Sequence, residues 1–188
     1  MDISEITVRG TWADVYDLAL KTVNKNKHIT PSDEWKKKIL LAEHSPIRAR
    51  TYQWTWYNLP YWVSNHFVRH KHGIEHFVTT QRSDRTGIPR DELPQDTPVN
   101  HTCVADAQAL INISRKRFCR KAAPETRRAW GKVWGEINVV DPIMAEAMVE
   151  ECVYRGFCPE MKSCGYCQTE DYKELLEKYR RIEYGTEL

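Results

Sequence analysis

The sequence lacks any apolar run long enough to span a membrane, and residues 1–10 lack the apolar core of a signal peptide. It also lacks internal repeats and low-complexity tracts. We therefore expect a cytoplasmic protein whose six cysteines are thiols or metal ligands rather than disulfides. A chain of 188 residues can bury a core without covalent staples, so we expect a single domain over residues 1–188.

The chain also lacks a large excess of positive or negative charge. The chain has 28 basic and 26 acidic residues, which give a net charge of +2. A protein that coats nucleic acid generally needs a larger positive charge. The positive charge of this chain is therefore local, and we do not expect a nucleic-acid partner.

The apolar patterns that are present predict a mixture of helices and strands. Residues 48–57 alternate, with Tyr52, Trp54 and Trp56 on one face, and predict a half-buried strand. We expect a long irregular loop over residues 83–100 and a helix from Pro31 to about Ala42, with Thr30 as its cap. Further helices are predicted over about 12–23, 102–118, 124–139, 142–154 (capped by Asp141) and 172–184, the last with Ile182 on its apolar face.

A basic run occupies residues 69–82 and reads Arg-His-Lys-His-Gly-Ile-Glu-His-Phe-Val-Thr-Thr-Gln-Arg. If its head follows a helix that begins near Pro60 and residues 74–82 form a strand, basic groups lie at both ends. Alternation then places Thr80 and Arg82 on one face, roughly 7 Å apart, which suits one phosphate and its sugar. The alternative is a solvated basic turn.

A second basic run, residues 115–121, closes the helix that is predicted over 102–118. Cations at a helix C-terminus complement its dipole and often have no further role. The alternatives are a solvated helix end and a modest RNA-binding patch, in which tryptophan and tyrosine side chains would stack on bases.

Four cysteines lie close together late in the chain, at Cys152, Cys158, Cys164 and Cys167. The last two form a Cys-x-x-Cys motif, and with two further cysteines nearby such a motif can hold a tetrahedral zinc ion. Free thiols and a disulfide are the alternatives.

The first basic run resembles the signature of flavin-dependent thymidylate synthases, in which Arg-His-Arg is followed by Asn-Glu-x-Ser-x-Arg. The Asn-Glu pair is absent, since Phe77 and Val78 stand there, so the chain resembles an atypical member. The matching positions are Arg69, His70, Lys71 in place of the third basic residue, Thr80 in place of the serine, and Arg82 after a one-residue insertion.

Two more segments carry the resemblance. Residues 105–117 look like the family helix whose last arginine grips the nucleotide, so Arg117 inherits that role and Asn112 a flavin contact. Asp106 and Gln108 replace an asparagine and an arginine that normally touch the flavin. Residues 43–46 resemble a Gly-His-x-Thr-Pro segment, which assigns Ser45 to the flavin.

The resemblance implies an α+β fold, a twisted and mainly antiparallel sheet packed against a helical bundle, in a homotetramer with sites shared between subunits. It implies reductive methylation of dUMP to dTMP, with methylene-tetrahydrofolate as carbon donor, FAD as hydride carrier and NADPH as reductant. An altered pyrimidine chemistry, such as hydroxymethylation, and a nucleic-acid-binding module remain alternatives. The implied residues are Arg117 and Arg69 for catalysis; Ser45, Arg69, His70, Lys71 and Asn112 for the flavin; and His66, Thr80, Gln81, Arg82 and Arg117 for the nucleotide.

Overall fold

The computed structural model describes residues 1–181. Its strands are β1 (Asp2–Ile3), β2 (Thr7–Arg9), β3 (Thr51–Pro60), β4 (Ile74–Val78) and β5 (Pro98–Asp106). Its helices are α1 (Trp12–Lys21), α2 (Asp33–Leu41), α3 (Tyr61–Phe67), α4 (Ser83–Thr86), α5 (Ala107–Arg117), α6 (Pro124–Val140), α7 (Pro142–Ala147), α8 (Glu151–Arg155) and α9 (Glu170–Arg180). Short 3₁₀ turns occupy Ser45–Ala49, Arg90–Glu92 and Tyr166–Gln168.

The strands form one sheet in the order β1-β3-β5-β4, and β2 also pairs with β3. Every one of these pairings is antiparallel. Helices pack against the sheet, and α6 and α7 contact each other. The predicted α+β class, with a mainly antiparallel sheet beside a helical bundle, is confirmed.

Aromatic side chains of β3 form the centre of the core. Tyr52, Trp54 and Trp56 are at most 1% exposed, which confirms the face predicted from their alternation. The Trp56 ring stacks on Phe67 of α3 at 4.5 Å, and Trp54 meets Trp130 of α6 edge-on at 5.9 Å. Each such ring pair contributes about 0.5–1.5 kcal/mol beyond the area it buries, so these contacts fix α3 and α6 on the sheet.

A buried ion pair joins the start of β3 to the junction of α6 and α7. The Arg50 Nε donates to Asp141 Oδ2 at 2.6 Å, and the Tyr52 hydroxyl donates to the same oxygen at 2.7 Å. Asp141 also caps α7 as predicted, because its side chain accepts from the Met144 N–H. The three groups satisfy one another, and burial together with the negative charge of Asp141 raises the pKa of Tyr52.

Residues 102–106 are strand, so the prediction that a helix begins near Thr102 is wrong. They belong to β5, which lies between β3 and β4 and buries Val99, His101, Cys103 and Ala105 on one face. Helix α5 begins only at Ala107, where the Asp106 carboxylate accepts from the Ala109 N–H at 2.7 Å. The ladder partners on both sides outweigh the helix signal that the alanines from Ala105 onward give to this segment.

Other predicted boundaries also move. The cap of α2 is Ser32 rather than Thr30, since its side chain accepts from the Trp35 N–H. The strand expected from Arg48 begins at Thr51, after a 3₁₀ turn. The helix expected over 142–154 is interrupted by residues 148–150. The helix expected over 172–184 corresponds to α9, which ends at Arg180. Ile182 lies outside the described residues.

None of the helices within residues 1–181 has the length and apolarity that crossing a membrane requires.

Candidate anion-binding site

The end of α5 and the turn between α3 and β4 bring the predicted basic residues together. Arg117, the last residue of α5, donates from Nε to His70 Nε2 at 2.9 Å, and it also donates to the backbone carbonyl of His66. Its guanidinium lies 5.9 Å from the centre of the Phe67 ring. The structure therefore brings these two segments, which are distant in the sequence, into contact within one chain.

The charged groups of this cluster are all positive, and they lower the pKa values of their neighbours. Burial, followed by repulsion from Arg117, lowers the pKa of His70 to about 4. Burial and then repulsion from Arg117 and Arg69 lower the pKa of His66. The pKa of Arg117 itself is lowered by burial and by repulsion from Arg69. Both imidazoles are therefore neutral at pH 7, and the positive charge resides on the two guanidinium groups.

Hydrogen bonding fixes the tautomer of His70. An arginine N–H can only donate, so His70 Nε2 must accept and the ring proton sits on Nδ1. His66 is held separately, because its Nδ1 lies 2.8 Å from the Thr126 hydroxyl on α6. The cluster is thus ordered before any ligand arrives.

No carboxylate within residues 1–181 forms an ion pair with Arg117 or Arg69. Arg69 and Lys71 are exposed at the surface of the turn. Two guanidinium groups that repel each other and lack a counter-charge favour an anion, which a planar guanidinium can bind through two parallel hydrogen bonds.

The tail of the basic run lies at the opposite end of β4. The strand ends at Val78, so the prediction that Thr80 and Arg82 project from one strand face is wrong. Thr79 instead pairs with Asn100 through its backbone and hydroxyl. The Thr80 hydroxyl accepts from the Arg82 N–H at 3.2 Å, and Arg82 pairs with Asp84 in the open.

These two ends are well separated within one chain. β4 alone spans roughly 13 Å between the turn that holds His70 and the segment that holds Arg82. Gln81 has a buried side-chain Nε2 without a hydrogen-bond partner among the described residues. An unsatisfied buried donor is costly to the fold, and a ligand or a partner chain would satisfy it.

The remaining predicted flavin residues, Ser45 and Asn112, lie near Glu43. Gln108 and Arg115 of α5 both donate to the Glu43 carboxylate, and the Asn112 side-chain oxygen accepts from Arg115 at 3.2 Å. Ser45 opens the adjacent 3₁₀ turn, which contacts α5. Asn112 precedes Arg117 by five residues, so the two side chains leave α5 about 140° apart. Within one subunit, the structure does not bring Asn112 into the Arg117 cluster.

The four late cysteines share a cavity of about 230 Å³ with Arg117 and neighbouring cations. Cys167 interacts with both Cys152 and Cys158. Within residues 1–181, however, these sulfurs do not form a group whose ligand atoms all lie within 4.8 Å of one another. Zinc binding by Cys152, Cys158, Cys164 and Cys167 therefore stays a prediction.

Two histidines that the sequence reasoning did not single out extend the cluster into the sheet. His76 Nε2 lies 2.9 Å from the His70 backbone oxygen, and His76 Nδ1 lies 2.9 Å from His101 Nε2. His101 is fully buried, and burial followed by repulsion from His76 lowers its pKa to about 4. The pairing of β4 with β5 was the missing signal, since the residues of β5 were predicted as the end of a loop and the start of a helix.

No protein-family model matches the sequence, and no curated protein matches it. Among solved structures, the fold is similar to the crystal structure of a UMP/dUMP methylase, PolB from Streptomyces cacaoi, bound with 5-Br dUMP. The TM-score is 0.58 at 13% sequence identity, over 83% of this chain and 96% of that one. At this identity the likeness establishes a shared fold.

Proposed function

We propose that this protein is a pyrimidine nucleotide methyltransferase that converts dUMP to dTMP with FAD, methylene-tetrahydrofolate and NADPH. The observation that carries the proposal is the pair formed by Arg69, in the turn after α3, and Arg117, at the end of α5, which has no carboxylate partner within residues 1–181. Support comes from a fold that a UMP/dUMP methylase shares.

Arg117 is the proposed ligand of the nucleotide. Its guanidinium is half-buried and already oriented by His70 and His66, so little side-chain entropy is lost when an anion binds. A charge aimed at the pyrimidine from a site with little water stabilises negative charge that develops on the ring more strongly than a solvated charge would. Thr80, Gln81, Arg82 and His66 are the proposed remaining contacts.

The turn between α3 and β4 carries positive charge, which complements the negative diphosphate of FAD. Arg69 and Lys71 are exposed cations, and His70 is a neutral imidazole that carries its proton on Nδ1. When bound, FAD would supply the hydride that reduces the transferred carbon. The chain's own residues would bind the diphosphate, orient it beside Arg117 and exclude water, with Ser45 and Asn112 as further proposed contacts.

We further propose that each site is shared between subunits of a homotetramer. The support is the separation of Arg82 from Arg117 along β4, together with the unsatisfied Gln81 side chain. Co-expressed Arg82→Ala and Arg117→Ala chains test this point. If one site draws these arginines from two chains, random mixing restores roughly a quarter of the sites. Activity that stays at the level of the single variants would show that both arginines act within one chain.

The function itself is tested by spectroscopy and turnover. We expect the purified protein to show flavin absorption, or to quench the fluorescence of added FAD, and to form dTMP from dUMP when both co-substrates are present. Lys116→Ala is the matched control for Arg117→Ala, because both cations close α5. A colourless protein that does not quench FAD fluorescence, and that binds polynucleotides with a steep salt dependence, would overturn the proposal.

A further inference from the structure

Three metal-ligand side chains converge where β4 pairs with β5. His76 lies opposite Cys103 in the antiparallel register, and His101 precedes Cys103 by two residues. Because side chains alternate along a strand, all three share one face of the sheet. His101 and Cys103 are fully buried, whereas His76 is partly exposed. The sheet register itself, rather than a mobile loop, assembles the group.

The donor atoms lie close enough to hold one ion. His76 Nδ1 is 2.9 Å from His101 Nε2 and 3.4 Å from Cys103 Sγ, and all three atoms lie within 4.8 Å of one another. Tetrahedral zinc would place its nitrogen ligands about 3.3 Å apart and a nitrogen about 3.6 Å from the sulfur, given the usual bond lengths. Shifts of a few tenths of an ångström would therefore suffice.

In each imidazole, the ring nitrogen that faces away from the other two ligands already has a hydrogen-bond partner. His76 Nε2 donates to the His70 carbonyl at 2.9 Å, so its inward Nδ1 carries a lone pair. His101 Nδ1 lies 3.0 Å from the hydroxyl of Ser64, a buried residue of α3 that can either donate or accept. Metal-binding histidines typically use their second nitrogen in this way, which fixes the tautomer and the ring orientation.

We propose that His76, His101 and Cys103 bind a zinc ion. Two imidazoles and one thiolate suit zinc better than the hard cations, which prefer oxygen ligands. Three protein ligands leave a fourth position for water. Within residues 1–181, no other group of three histidine, cysteine or acidic side chains has its ligand atoms this close together. This inference does not depend on the proposed function.

In the metal-free state a single proton lies between the two imidazoles, where the ion would otherwise bind. His101 donates from Nε2 to His76 Nδ1, and the Ser64 hydroxyl donates to His101 Nδ1. When zinc binds, the Cys103 thiol loses its proton to solvent. The proton on His101 moves from Nε2 to Nδ1, where Ser64 accepts it. Both imidazoles stay neutral, and one proton is released per ion bound.

A zinc ion at this position would tie the edge strand β4 to β5. It would also stiffen the turn that carries Arg69 and His70, because His76 holds the His70 carbonyl directly. The ion would therefore act on the anion site by positioning its backbone rather than by touching a ligand there.

Titration with Co²⁺ tests the proposal, since cobalt replaces zinc and a thiolate ligand gives it a charge-transfer absorption band. The chelator-treated, full-length Cys164→Ser/Cys167→Ser variant serves as background, because it breaks up the late cysteine group. We expect this variant to bind one Co²⁺ per chain with a thiolate band. Adding Cys119→Ser, a matched control, should change nothing.

Adding Cys103→Ser to the background should abolish the band. It should also weaken Zn²⁺ binding by more than about 100-fold, since the loss of an outer partner alone costs 10- to 100-fold. Adding Ser64→Ala should keep the band and weaken binding within that range. If Cys103→Ser does not fold, as judged by circular dichroism, the partly exposed His76→Asn replaces it. A background variant that binds no Co²⁺, or a band that survives Cys103→Ser and His76→Asn, would overturn the proposal.

Discussion

Arg50 and Arg117 show two ways in which this protein removes an arginine from bulk water. Arg50 is 9% exposed and meets Asp141, Tyr52 and the Gly10 carbonyl. Arg117 is half-buried, and within residues 1–181 its hydrogen bonds go to a neutral imidazole and a carbonyl, while Arg69 repels it. The first charge is balanced within the chain and belongs to the fold. The second leaves a positive potential that a ligand can neutralise, so it belongs to a binding site.

The largest effect on stability should come from the balanced region. Asp141→Ala leaves the Arg50 charge buried and unpaired, so we expect the free energy of unfolding to fall by about 3–5 kcal/mol. Urea unfolding at a fixed protein concentration measures it. Asp17→Ala, which breaks a partly exposed pair with Lys21, is the control and should change stability by less than about 1 kcal/mol. Equal losses of stability in Asp141→Ala and Asp17→Ala would show that the buried pair contributes no more to the fold than a surface pair does. Arg50 would then not differ from Arg117 in the way described.

The unbalanced region should respond in binding instead. Arg117→Ala should weaken dUMP binding by about 2–5 kcal/mol, because it removes one partner of a desolvated charge pair. The free energy of unfolding should change by only about 1 kcal/mol, since the lost contacts are two hydrogen bonds. Calorimetric titration gives the affinity. Lys116→Ala should bind dUMP like the parent, because that lysine is exposed and pairs with Glu151. Unchanged affinity in Arg117→Ala would contradict the assignment.

The depressed pKa of His70 gives the same region a pH signature. Its pKa is about 4 in the folded chain and near 6.5 in the unfolded one. As pH falls through this window, the unfolded chain binds a proton that the folded chain does not, so the free energy of unfolding decreases. In His70→Gln, whose amide oxygen can still accept from Arg117, the proton uptake on unfolding near pH 5 should drop by about one. His101 should maintain part of the slope. Identical pH profiles for both proteins would refute a neutral His70.

The smallest effect is expected at the exposed end of β4. Arg82 and Asp84 are both more than half exposed, so Asp84→Asn should change the free energy of unfolding by less than about 1 kcal/mol. Freed from its neighbour, Arg82 should bind dUMP at least as tightly as in the parent. Calorimetry and thermal unfolding measure both quantities. Weaker dUMP binding in this variant would mean that the pair, rather than Arg82 alone, forms the contact.

How far the sequence predicts the fold depends on how regular the apolar pattern is. Tyr52, Trp54 and Trp56 alternate with polar residues, and their buried face followed directly from that. β5 buries His101, Cys103 and Ala105, which are polar or small, so its alternation is invisible to a hydrophobicity pattern. The turn signals before Pro98 and the alanines after it favoured a helix, and only pairing on both sides makes the segment a strand.

The candidate site was predictable to a similar degree. The motif resemblance named Arg69, His70 and Arg117 as site residues but did not predict that Arg117 contacts His70 within one chain, which the structure shows. It could not predict that Arg82 ends up beyond β4, because the length of a short strand is set by its ladder partner. His76 and His101 escaped notice for the same reason as β5. Their convergence depends on register, which single-sequence patterns do not specify.

Gly73, between the basic turn and β4, constrains how this sequence can change over time. Its φ is +71°, and a Cβ there would lie 2.6 Å from the carboxylate oxygens of Asp106. Asp106 in turn caps α5 and donates its N–H to the Gly73 carbonyl. A side chain at position 73 would displace the cap of the helix that ends in Arg117. Positions 73 and 106, 33 residues apart, are therefore expected to vary together among descendants of this sequence or not at all.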